Sequence, residues 1–152
     1  MKKLIFTVCI FLMVFSCIRV NQPAATQLNT PAENVKDGLF IHVKQGPENA
    51  HEVLMALSMA LKFAKDSDVL MYFDIDGISM LTKNAPDLQM EPFGSSDVLF
   101  SKLVNMGVHI FACPGCMEVY GVSASELRSG VTIADKDEFF NFTDGRILSI
   151  DY

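Results

Sequence analysis

Five short runs of apolar, β-branched and aromatic residues alternate along this chain with stretches of helical period, and few folds satisfy that order. Leu39–Val43 is the first run, ended by the turn pair Gly46-Pro47. From Glu48 to Lys65 the period changes: Val53, Leu57, Leu61 and Ala64 recur at three- and four-residue steps, with Leu54 and Ala60 beside them. That spacing predicts a helix with one buried stripe, in which Met55 and Met59 are core filler. Asp68 leads into Val69–Phe73, an almost unbroken apolar run of the kind found in strands covered on both faces. The stretch from Asp74-Ile75-Asp76-Gly77 to Gln89 reads as a short helix and a loop broken by Pro86 and Pro92. Ser95 and Ser96 offer an N-cap for a helix running to Asn105, apolar at Val98, Leu99, Leu103 and Met106 and stopped by Gly107. Val108–Ala112 is the third strand. Ser123-Ala124-Ser125-Glu126 matches a capping box and predicts a helix closed by Gly130. Val131–Ala134 is a fourth strand, Lys136–Phe142 a short helix, Asp144-Gly145 a turn and Ile147–Ile150 a fifth strand. The expected fold class is therefore α/β: a five-stranded, mainly parallel sheet with helices on both faces, a three-layer α/β/α sandwich. No internal repeat is present.

The start of the chain speaks to compartment. Lys2 and Lys3 precede an apolar run from Leu4 to Phe15, followed by Ser16 and Cys17. This is a charged n-region, a short h-region and a small-residue cleavage site, so residues 1–16 read as a signal peptide. The run is shorter than the about 20 apolar residues a membrane span needs. Val14-Phe15-Ser16-Cys17 resembles the lipobox of bacterial lipoproteins, in which the cysteine becomes the lipidated first residue; an ordinary secretory signal with an incidental cysteine is the alternative. Acyl chains on Cys17 would anchor the protein at about 0.8 kcal/mol per buried CH₂. Cleavage removes two lysines and takes the formal charge from −6 to −8, an acidic balance that argues against nucleic acid as a partner. Residues 17–34, rich in Pro, Ala, Thr, Asn and Gln, read as a flexible tether, and residues 35–152 as one domain. The expected localisation is exported and membrane-anchored, facing the periplasm or the cell exterior.

Of the four cysteines, Cys9 leaves with the signal and Cys17 takes the lipid, so the domain holds only Cys113 and Cys116. They stand in Cys113-Pro114-Gly115-Cys116, directly after the third strand, and ligands of open α/β sheets collect outside such strand ends. A Pro-Gly bend brings two thiols together, and a helix beginning just beyond would favour a thiolate. These two residues are the candidate catalytic pair. An inert pair or a stapling disulfide is the bland alternative, although so short a loop removes little chain entropy. A closed zinc site needs four ligands, and only His42, His51 and His109 could join, without a second Cys-x-x-Cys. Cu(I) suits two thiolates with Met117. A thioredoxin-type oxidoreductase would place its motif after an earlier strand. No cofactor is called for. Asp74/Asp76 and Asp135/Asp137 read as solvated loop ends, and His42 and His51 as equally ordinary.

The stretch Gly107-Val108-His109-Ile110-Phe111-Ala112-Cys113-Pro114-Gly115-Cys116, followed by Gly121-Val122, Leu127, Gly130-Val131 and Phe140, resembles the DsrE/DsrF-like (YchN-like) family. Gly46-Pro47-Glu48-Asn49-Ala50, the long helix after it and Val69–Phe73 look like that family's opening β-α-β unit, so the resemblance spans Gly38 to Tyr152. It implies a flavodoxin-like sandwich that assembles into homotrimers or hexamers. Members with known roles relay sulfur as a cysteine persulfide, at the position held here by Cys113 with Cys116 as its neighbour. Many relatives place an Arg before the glycine that follows the pair, whereas this chain has Tyr120-Gly121. Lys44, His51, His109 or Arg128 would have to substitute, and alternation along Val108–Ala112 makes His109 a packed or surface residue rather than a catalyst. The export signal is a second departure. Two functions stay open: sulfur relay or disulfide exchange with a partner protein, and an oligomeric binding module for a soft metal such as Cu(I) or a protein partner.

Overall fold

The structure, a computed structural model, describes residues 35–152. The expected signal peptide (1–16), the expected lipidation site Cys17 and the expected tether (17–34) lie outside the described residues. The five expected strands form one sheet: β1 (Gly38–Val43), β2 (Asp68–Phe73), β5 (His109–Ala112), β6 (Val131–Ile133) and β7 (Ile147–Asp151). Their order is β6-β5-β2-β1-β7 and every pairing is parallel, more uniform than the mainly parallel sheet expected. Gly38↔Asp68, Leu70↔His109 and Ile110↔Val131 set the registers, which bring the carboxyl ends of β1, β2 and β5 side by side.

Alternation along these strands sorts their side chains into two layers. Leu39, Ile41, Val43, Val69, Met71, Phe73, Ile110 and Ala112 form a fully apolar face. Two helices cover it: α1 (Ala50–Phe63), with Val53, Leu54, Ala56, Leu57 and Ala60 buried, and α2 (Ser96–Asn105), with Leu99, Phe100 and Leu103 buried. The opposite face carries Phe40, Leu70, Tyr72 and Phe111, packed under Phe139 and Phe142 of the chain around the five-residue helix α4 (Lys136–Phe140). Asp135, exposed at the end of its loop like Asp137, as expected, caps α4 by accepting from the Asp137 N–H at 2.9 Å. The second helical layer is much thinner than the first.

Two expectations need correction. Ser123 to Glu126 does form a capping box, with the Ser123 N–H donating to Glu126 Oε2 at 2.8 Å, yet only a single 3₁₀ turn (Ala124–Glu126) follows, not a helix to Gly130. Caps satisfy helix ends, but a helix in a protein also needs a stripe to bury, and here only Leu127 is buried. Gly130 instead turns the chain at φ +85° against Val104. The second concerns the stretch after β2, read as a short helix and a loop: the short helix is there as a 3₁₀ helix (Ile75–Leu81), but the loop region carries a small antiparallel hairpin, β3 (Gln89–Met90) with β4 (Gly94–Ser95).

The start of α2 is held by more than its N-cap, Ser95, whose Oγ accepts from the Val98 N–H. Asp87 accepts from the Asp97 N–H (3.1 Å), Ser95 Oγ (2.7 Å), Gln89 Nε2 (2.9 Å) and Ser96 Oγ (3.2 Å). Those donors, the Asp97 N–H foremost, pull its carboxyl from 3.8 down to about 2. A carboxyl more acidic in the folded than in the unfolded chain contributes stability above its unfolded value and loses it as pH falls through the folded one. The melting temperature of the wild-type chain is thus expected to drop between pH 4 and pH 2, and Asp87→Asn to lie lower at neutral pH with a flatter acid limb. A pH series of thermal unfolding curves checks this; parallel limbs for the two chains would contradict it.

Candidate functional site

Cys113 is the first residue beyond β5, held by its N–H donating to the Phe73 carbonyl of β2 at 2.9 Å. It is also the N-cap of α3 (Pro114–Tyr120). Pro114 suits that first helical turn because its fixed φ matches a helix and its missing N–H would have had no partner there. Within the turn the Cys116 N–H donates to Cys113 Sγ at 3.4 Å and the Met117 N–H to the Cys113 carbonyl at 2.9 Å. Gly121, at φ +66°, ends the helix. The Pro-Gly bend therefore turns Cys116 back onto Cys113, its N–H meeting Cys113 Sγ, and both residues are free thiols, both half-buried.

The two thiols are driven in opposite directions. Burial pushes Cys113 up, but the Tyr72 hydroxyl, the Cys116 N–H and S–H and the Gly115 N–H all donate toward its sulfur and bring it below the ordinary thiol value. Cys116 goes up, because burial, its own donation to Cys113 and the negative charges of Cys113 and Asp74 outweigh the Ile75 N–H that donates to its Sγ at 3.2 Å. The pair is thus asymmetric, with Cys113 drawn below the ordinary thiol value and Cys116 pushed above it.

The Ile75 N–H reaches Cys116 through a constrained loop. Ile75 has φ +46°, a left-handed conformation costly for a β-branched residue. It is imposed by its neighbours. The Asp74 N–H donates to the Val43 carbonyl at 3.2 Å, and the Gly77 N–H to the Lys44 and Asp74 carbonyls at 3.0 and 2.9 Å. Gly77 has no substitute there, since a Cβ would lie 2.4 Å from the Val43 oxygen.

Around the sulfurs stands a polar group that sequence reasoning passed over. Tyr72 packs edge-on against Phe139 at 4.8 Å and stacks on His42 at 5.7 Å. Burial and its hydrogen bond to Cys113 raise its hydroxyl far above the ordinary tyrosine range. The His42 ring lies between two carboxylates: Nδ1 is 2.7 Å from Asp151 Oδ1, and Nε2 is 2.9 Å from Asp74 Oδ1, out of line for a hydrogen bond but with no other partner for either atom. Asp76 accepts from the Tyr120 hydroxyl, tying α3 to the Ile75 loop and raising that phenol. Asp74 and Asp76 are thus not the solvated loop ends expected, and His42 is not a bystander. The only sequence signal for them was position, since His42, Tyr72 and Cys113 sit at or just past the carboxyl ends of adjacent parallel strands.

None of the cations put forward for activating Cys113 is placed to do so. Lys44 Nζ is 3.6 Å from Asp151, His51 packs against Phe93, and Arg128 pairs with Asp97 at 2.5 Å and lies over Phe100. His109, at the amino end of β5, is exposed beside Phe111, in line with the alternation argument. The donors on Cys113 are hydroxyl, thiol and backbone N–H groups. Met117, the third soft ligand considered for Cu(I), is buried in the apolar core. Among the described residues no three His, Cys, Asp or Glu side chains are grouped to hold a metal ion.

A parallel sheet with two helices on one face and a polarised dithiol at its carboxyl edge defines a small α/β thiol protein. The model of the DsrE/DsrF-like family matches residues 38–144, and the chain belongs to that family. Its fold is similar to the crystal structure of the ychN protein from E. coli (TM-score 0.59, 15% identity, covering 76% of this chain and 99% of that one). It is similar also to a protein of unknown function, MTH1491 from Methanobacterium thermoautotrophicum (TM-score 0.53, 11% identity, 76% and 99% covered). No curated protein sequence matches the chain.

Proposed function

We propose that this is a membrane-anchored thiol protein that relays sulfur or exchanges disulfides through Cys113 and Cys116. The observation that carries the reading is the placement of two free thiols at the carboxyl end of β5, with Cys113 capping α3 and receiving the Cys116 N–H at 3.4 Å; the opposite drive on the two thiols favours Cys113 as the attacking sulfur. The Cys113 thiolate attacks the outer sulfur of a persulfide donor. The donor S–S bond breaks, the donor thiolate leaves with the electron pair, and Cys113 carries the sulfane sulfur. An acceptor thiolate then takes that sulfur and regenerates Cys113. With a disulfide donor the same attack forms a mixed disulfide, which Cys116, once deprotonated, resolves to a Cys113–Cys116 bond. Family membership favours the persulfide branch.

Export, a lipid on Cys17 and a setting on the periplasmic or outer surface belong to this proposal, on the strength of residues 1–17. So does assembly into homotrimers or hexamers. Phe140 (72% exposed), Ile147 and Leu148 are large apolar side chains in water on the single chain, as surfaces awaiting a partner are. The test is single-turnover mapping. Reduced protein is mixed with less than one equivalent of a persulfide donor, quenched with an alkylating agent, digested and weighed. The extra sulfur is expected on Cys113; an extra sulfur found on Cys116 alone, or on neither, would overturn the reading.

A further inference from the structure

The groups around the cysteine mouth also define which carrier of sulfur the site admits. Asp74 and Asp76 flank Ile75, whose N–H touches Cys116 Sγ. Asp76 is bonded to Tyr120, one turn along α3 from Cys116, and Glu118 is exposed on that same turn. Asp151, at the end of β7, reaches the site through His42. Against these four carboxylates stand Lys44, already paired with Asp151, and His42, already clasped by Asp74 and Asp151. No guanidinium or ammonium is among the main donors on the Cys113 sulfur. Between the charges lies exposed apolar surface: Ile75 after β2, Val119 and Tyr120 on α3, and Ile133 at the end of β6.

Resting on the thiol-exchange reading above, we propose that the cysteine mouth docks a partner protein whose exchanging thiol is surrounded by basic and apolar residues, and that anionic sulfur donors are disfavoured. The acidic ring repels an anion approaching a thiolate and attracts a cationic partner. A field of this kind changes association rates by tenfold or more at low salt and fades as salt screens it. The apolar patches supply the contact that remains once the charges have met.

Two short peptides that differ only in Lys or Glu on either side of one cysteine, each carried as the 2-pyridyl disulfide, isolate the charge. The Cys113 thiolate attacks the peptide sulfur, the peptide–Cys113 disulfide forms, and thiopyridone leaves with the electron pair and is read by its absorbance. The reduced full chain is used, with 2-mercaptoethanol as the neutral reference thiol and Cys113→Ser as the blank. Relative to that reference, the Lys peptide is expected to react roughly tenfold faster than the Glu peptide at low salt, the ratio falling toward one in high salt. The double variant Asp76→Asn, Glu118→Gln keeps the amide oxygen that can accept from Tyr120 and should shrink the low-salt ratio. Equal rates for the two peptides at low salt, or a ratio indifferent to salt, would overturn the docking proposal while leaving thiol exchange standing. Thiopyridone release no faster than the blank with either peptide would overturn both.

Discussion

Cys113→Ser is expected to abolish transfer of sulfane sulfur to the folded chain, whereas Cys116→Ser should leave the first transfer in place and trap its product. The asymmetry follows from the opposed thiol drives. Cys113 Sγ receives the Tyr72 hydroxyl and the N–H groups of Gly115 and Cys116, so its anion is stabilised where it forms. A serine hydroxyl at the same place stays protonated at neutral pH and offers no nucleophile. Cys116 is the poorer nucleophile to stand in, because burial and the nearby Asp74 charge push its thiol upward. Without Cys116, the resolving attack on a mixed disulfide is lost, while a serine hydroxyl can still donate to Cys113 Sγ. The adduct on Cys113 should therefore persist in Cys116→Ser and decay in wild type, which intact-mass time courses would follow. Equal labelling of wild type and Cys113→Ser would end the proposal; so would equal adduct lifetimes in wild type and Cys116→Ser when a disulfide is the donor.

Tyr72→Phe should raise the Cys113 thiol pKa and slow its alkylation near pH 7 by roughly tenfold. A hydrogen bond to a charged group is worth about 1.5–3 kcal/mol and one pKa unit about 1.4 kcal/mol; the half-exposed setting of the sulfur argues for the lower end. Phenylalanine keeps the ring that packs on Phe139 and His42, so the fold is expected to survive. The readout separates a positioning role from a structural one. If Tyr72 holds the thiolate, the midpoint of the rate against pH moves upward while the rate at high pH, where the thiol is already ionised, is unchanged. An unmoved midpoint would show that the backbone N–H groups suffice.

Much of the fold was legible in the residues because its elements advertise their burial. The run Val69–Phe73 is apolar on both sides because β2 sits inside the sheet, and all five strands were found from runs of that kind. Helix α1 showed its buried stripe, whereas in α2 only Leu99 and Leu103 of the expected stripe are buried: Val98 and Met106 are exposed and Phe100 is buried instead. Ser123–Glu126 misled because a capping box reports only how a helix begins, while its length depends on what the next turns can bury. The hairpin Gln89–Ser95 left no trace, since strands of two residues have no period.

The cysteine motif was equally legible, because Pro-Gly between two cysteines at a strand end is local chemistry. Its activation was not. A missing arginine before Gly121 suggested that another cation must serve, but the groups that serve are neutral and come from elsewhere in the chain.

What the sequence by itself determined, then, was the order of strands and helices, the place of the two sulfurs and the bend between them, because each depends on residues a few positions apart. Only the tertiary structure decided which sulfur carries the charge and what surrounds it. Tyr72 is 41 positions before Cys113, and Asp151 is 109 beyond His42. The parallel register of β2 with β5 and of β1 with β7 is what brings such distant residues together, His42 and Asp151 within a hydrogen bond of one another. Register is a property of paired strands, so no single strand's residues can announce it.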